Sequence, residues 1–128
     1  MFVLFSFINS YMTISIKTQG QNLTMYQGAT FEKTFTAKDK NDFSVTLSSG
    51  TCASQMRKNH TTTNSSHILT FTTEISGSNV KISAAASNTS IMEPGLYIYD
   101  VEYTQSDNIT VEKIVNGMIT VIGESTKS

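Results

Sequence analysis

The chain has 128 residues, of which 38% are hydrophobic and 15% charged, with a formal net charge of −1, no Trp and a single Cys. That length suits one domain, because a second needs roughly 100 residues and a linker, and no linker is visible. The composition argues against a disordered chain or a membrane span. Lys and Arg, scattered apart from Arg57 and Lys58, form no dense basic face for phosphate, and Cys52 has no intrachain disulfide partner.

The first segment, Phe2-Val3-Leu4-Phe5-Ser6-Phe7-Ile8, is the most apolar run of the sequence. It is shorter than the about 20 residues a bilayer-spanning helix takes. No basic stretch precedes it and no small-x-small cleavage site follows, so it reads poorly as a signal peptide. Two readings stay open for residues 1–12: an arm that packs on a partner, with Phe2, Val3, Leu4, Phe5 and Phe7 as its docking side chains, or an over-extended start with Met12 as the true first residue. Residues 13–128 are then the domain.

From Thr13 onward, short runs of Val, Ile, Thr, Phe and Tyr alternate with clusters of Gly, Asn, Asp and Ser, and no helical period is sustained. This pattern predicts an antiparallel β domain. Strands are expected near 13–17, 23–26, 30–37, 44–47, 53–58, 67–75, 80–83, 97–104 and 110–121, the last with a break at Asn116-Gly117. Asp39-Lys40-Asn41-Asp42 is expected to be a turn, since Asn and Asp tolerate left-handed and self-bonded backbone. It lacks the Gly and the distal Glu of a calcium loop. Ser76-Gly77-Ser78-Asn79 and Gln105-Ser106-Asp107-Asn108 are expected to be hairpin tips. Ser83-Ala84-Ala85-Ala86-Ser87-Asn88 favours one short helical turn, closed by Pro94-Gly95.

The strongest local pattern is Leu96-Tyr97-Ile98-Tyr99-Asp100-Val101-Glu102-Tyr103. Tyr97, Tyr99, Val101 and Tyr103 share one face, while Leu96 and Ile98 open the other, which predicts a central strand covered on both sides at its start. The tyrosines are read as core rather than as a binding stripe. The whole predicts an all-β fold, an Ig-like antiparallel β-sandwich of about 7–9 strands with at most one short helical turn.

Catalytic machinery is not legible. No Ser-His-Asp order, zinc spacing, P-loop or dinucleotide fingerprint occurs. Cys52, beside Ala53, reads as a small core residue rather than a nucleophile. His60 and His67 flank the polar loop 61–66, but no third metal ligand of the right type stands near them in sequence, so they read as surface histidines. Asp100 and Glu102 sit about 7 Å apart on one strand face. That is a glycosidase-like separation, but without Trp for sugar stacking they read as a solvated face or an ion pair to Lys113 or Arg57. The sequons at Asn22, Asn59, Asn64, Asn88 and Asn108 are expected by chance in so Asn-, Ser- and Thr-rich a chain.

Four segments together carry a family resemblance: Tyr26-Gln27-Gly28-Ala29-Thr30-Phe31, Gln55-Met56-Arg57-Lys58, Gly95-Leu96-Tyr97-Ile98-Tyr99-Asp100-Val101-Glu102, and Gly117-Met118-Ile119-Thr120-Val121. In this layout the chain resembles the small Ig-like virion proteins of tailed bacteriophages, marine cyanophages especially, and is similar to the N-terminal domains of baseplate upper proteins. The resemblance covers residues 23–125. It implies a structural virion component, made in the host cytoplasm, with no catalytic activity and no cofactor. It implies tail or baseplate docking to other virion proteins and copies of itself, with no nucleic-acid or membrane partner. A head decoration protein is the alternative, and a carbohydrate-binding or adhesin module using the tyrosines is a second one.

Overall fold

The computed structural model describes residues 15–47 and 49–124. Nine strands and two short helical turns are found there: β1 (Gln19–Gly20), β2 (Leu23–Tyr26), β3 (Phe31–Thr36), β4 (Thr51–Arg57), β5 (Ile68–Thr70), β6 (Thr72–Ser76), β7 (Asn79–Ala84), β8 (Gly95–Thr104) and β9 (Val111–Ile122), with a 3-10 turn at Ser65–His67 and α1 at Ala86–Thr89. They form an all-β sandwich. One sheet runs β1-β9-β8-β4-β5 with β2 also on β9, and the other runs β3-β7-β6. This is the strand order of an immunoglobulin-type sandwich, with the first strands moved onto the β9 edge. The pairing is antiparallel except at that edge, where β1 and β2 run parallel to β9.

Alternation explains the layering. In β8, Tyr97, Tyr99, Val101 and Tyr103 point inward and are buried, while Leu96, Ile98, Asp100, Glu102 and Thr104 face outward. They meet Phe31 and Phe35 of β3 and Val80, Ile82 and Ala84 of β7 in one core. Phe35 stacks on Tyr99 at 6.4 Å between ring centroids. Near the middle of β9, Val101 faces Val115 whereas Glu102 faces Lys113, so Ile114 is an extra residue. This bulge lets both Ile114 and Val115 reach the core.

Tyr97 anchors the crossover into β8. Its hydroxyl donates to the Glu93 carbonyl at 2.6 Å, four residues back, closing the bend at Pro94-Gly95. This is the tyrosine corner of Ig-type sandwiches. Thr89 of α1, fully buried, accepts from the Gly28 amide and donates to the Ala29 carbonyl, tying the crossover to the β2–β3 turn.

The predicted turns are present. Asp39 accepts from the amides of Asn41 and Phe43, and Asp42 takes φ +67°. Gly77, at φ +62°, sits in the two-residue tip between the paired Ser76 and Asn79. Asn108, at φ +62°, closes the β8–β9 tip, where Asp107 accepts from the Ile109 and Thr110 amides.

Four sequence expectations are corrected. The run 67–75 is two strands in different sheets, since the chain crosses at Phe71, which buries against Phe31 while its amide bonds Ser54. The segment 44–47 forms a single bridge, Lys38 to Ser44, closed by the Val45 amide on the Ala37 carbonyl, after which the Leu47 amide donates to the Gly77 carbonyl at the β6–β7 tip. No break interrupts β9 at Asn116-Gly117; the interruption is opposite, at Gln21-Asn22 between β1 and β2. Of the strand expected at 13–17, the described residues 15–17 are unpaired as strand, and pairing starts at Gln19.

Candidate functional site

The outer face of the six-stranded sheet is the surface the sequence misjudged. The expectation that Leu96 and Ile98 lie under a covering layer fails for Leu96, which is 51% exposed, while Ile98 is half-buried. Strand register sets its neighbours. Leu96 pairs with Thr120 and Ile98 with Met118, while Tyr26 pairs with Ile122 one step further along. Tyr26, at 59% exposure, Met118 and Ile122 are also solvent-facing, so apolar side chains from β2, β8 and β9 cluster at one end of the face. The missed signal was a surplus: apolar residues at alternate positions of a strand whose inward row was already filled.

Mostly polar residues occupy the rest of the face, with Val111 exposed at its far end. Arg57 faces Ile98, and Gln55 faces Asp100, which faces Asn116. The expected ion pair forms with Lys113, whose Nζ lies 3.2 Å from the Asp100 carboxylate. Glu102 stands opposite Lys113 across the bulge.

The tyrosine row is core. Tyr97, Tyr99 and Tyr103 are 0%, 4% and 6% exposed, which removes the aromatic platform a sugar-binding reading of these residues requires. Burial pushes the Tyr99 phenol up to about 12, and its hydroxyl donates to the Gln21 carbonyl at 2.8 Å. Burial, then the Glu93 carboxylate, raise Tyr97.

The histidines do not converge. His67 bonds Glu93 through Nε2 at 3.0 Å, which holds the Glu93 carboxyl below its ordinary range, while His60 lines a different part of the surface, a depression it shares with Arg57. Among the described residues no three His, Cys, Asp or Glu side chains group as metal ligands, and no helix is long and apolar enough to cross a membrane. The docking arm Phe2, Val3, Leu4, Phe5 and Phe7 lies outside the described residues.

Cys52 packs half-buried against the core, and burial raises its thiol to about 11. At pH 8 only about one thiol in a thousand is then thiolate, against roughly a quarter for an unperturbed cysteine. Alkylation of the folded protein by iodoacetamide is expected to run about two hundredfold slower than in urea-unfolded chain, if the rate follows the thiolate fraction. Equal rates in the two states would show that Cys52 is not shielded as described.

No family model matches the chain, and no curated protein does. Solved structures with a similar sandwich include Listeria monocytogenes InlP, at 16% identity over 83% of this chain and 27% of that one, with a TM-score of 0.45. A family 123 glycoside hydrolase from Clostridium perfringens is 10% identical over 91% of this chain and 25% of its own, with a TM-score of 0.42. AggA, the major subunit of aggregative adherence fimbriae type I from Escherichia coli, is 13% identical over 84% of this chain and 93% of its own, with a TM-score of 0.37. The chain thus spans about a quarter of the length of the first two. None of the three bears on which partner or chemistry this chain has.

Proposed function

We propose that the chain is a non-catalytic docking module of a tailed-bacteriophage particle, placed in the tail or baseplate, with other virion proteins and copies of itself as partners. The observation that carries the docking part is the exposed cluster of Tyr26, Leu96, Met118 and Ile122 on one sheet face. Contiguous exposed apolar groups on a small soluble domain are costly to leave in water, and such patches mark association surfaces. The virion part is supported by the sequence layout at residues 26–31, 55–58, 95–102 and 117–121.

Mass spectrometry of purified particles tests the placement, and the protein is expected in several copies per particle. Its absence would defeat the virion reading, and a copy number near that of the major capsid subunit would move it to the head. A Leu96→Glu, Ile122→Glu double variant tests the face. Both side chains already meet water, so the variant is expected to melt within a few degrees of the parent, while incorporation into particles falls roughly tenfold or more. Unchanged incorporation would mean that another surface docks.

A further inference from the structure

Beside the apolar cluster, the same face holds an open depression of about 620 Å³, within the size range of small-ligand sites. Its floor is the cross-strand pair Ile98 and Met118. Two of its polar groups, Arg57 and Asn22, are held by neighbours before any ligand arrives. Arg57 donates from Nε to the Gln55 side-chain oxygen at 2.8 Å and from Nη1 to the Thr62 carbonyl at 3.1 Å. Asn22 accepts the Met118 amide at 3.1 Å, at the point where the edge breaks between β1 and β2.

Charge separates the cations. Lys113 is matched by Asp100, whereas Arg57 touches no carboxylate among the described residues, and its Nη2 forms no hydrogen bond there. The Nη2 N–H groups of this fixed guanidinium are left to donate to a carboxylate, a charge-assisted bond stronger than a neutral one. The amides of Asn22 and Asn116 line the same space, and each amide both donates and accepts, as hydroxyl groups do. Ile98 and Met118 offer an apolar surface to the C–H face of a ring. An acidic group, several hydroxyls and a partly apolar ring together describe one ligand class.

We propose that this depression binds a carboxylate-bearing sugar of the uronic or sialic acid type. The carboxylate sits on Arg57, hydroxyls on Asn22 and Asn116, and the ring on Ile98 and Met118. The proposal goes beyond the docking reading and does not depend on it, since sugar binding is measured on the isolated protein and incorporation on the particle.

Titration of the ¹⁵N-labelled full chain, followed by amide chemical shifts, tests it with five probes: methyl β-glucuronide, methyl α-sialoside, methyl β-glucoside, sodium acetate and N-acetylglutamate. At least one acidic sugar is expected to give saturable shifts at Asn22, Arg57, Ile98 and Met118. Arg57→Gln is expected to weaken that binding roughly tenfold or more. Asn116→Ala, at an exposed side chain, is expected to weaken it about threefold, and it carries the test should Arg57→Gln fail to fold. The proposal is overturned if neither acidic sugar saturates, or if the glucoside or acetate matches it. An equal response to N-acetylglutamate would instead assign the site to acidic peptide. A folded Arg57→Gln protein that binds as tightly as the parent also overturns it.

Discussion

Tyr97→Ala is expected to cost about 3–5 kcal/mol, a large share of the roughly 5–15 kcal/mol that holds a domain of this size. Tyr97 is among the largest side chains with no exposure at all, and its removal leaves a cavity between the sheets. The same substitution strands the Glu93 carbonyl, which accepts the hydroxyl at 2.6 Å, and deprives Lys58 of the ring its Nζ lies 5.1 Å from. Tyr97→Phe separates these contributions. It keeps the ring and deletes the donor, so its cost is expected to be about 1–2 kcal/mol. Urea denaturation reads both as falls in midpoint at unchanged slope. A Phe variant as unstable as the Ala variant would assign the anchor to the hydrogen bond rather than to packing, and two unshifted midpoints would remove the anchor altogether.

Tyr97 also marks how far the sequence could be read. Its row with Tyr99, Val101 and Tyr103 repeats every second residue, so the inward face of β8 was legible without a structure. What lies over the opposite face was not, because alternation reports that a side chain points away from its neighbour and says nothing about what meets it. Leu96 therefore looked covered and is not, and Ile98 is only half-buried. The crossing at Phe71 was hidden for a related reason. Residues on both sides of it have the same strand-forming character, and the change of sheet is decided by Phe31, which is forty residues distant. The polar site was out of reach for a third reason. Asn22, Arg57, Asp100 and Lys113 come from separate segments, and the register of β4, β8 and β9 is what brings them together.

Gly117→Ala is expected to destabilise the chain by about 1–3 kcal/mol, although the substitution adds one methyl group. A Cβ at Gly117 would overlap the Gln21 carbonyl oxygen, which is backbone and has no rotamer with which to yield. That carbonyl is pinned from the other side by the Tyr99 hydroxyl at 2.8 Å, and the Gln21 amide is bonded to the Asn116 carbonyl at 3.0 Å. The methyl group can be accommodated only by moving the β1–β2 edge off β9, which exposes the amides of Gln21 and Met118. Hydrogen exchange at those two amides is expected to accelerate more than exchange in β4 or β7, distinguishing a lifted edge from a global loss of stability. Gly20→Ala is the matched control. A Cβ there meets nothing within 4 Å, so its effect is expected to stay within about 0.5 kcal/mol. Asn22 sits on the displaced edge, so Gly117→Ala should also weaken binding of the acidic sugar while Gly20→Ala leaves it unchanged. Equal stability of the two alanine variants would mean that the edge has room that this geometry denies it.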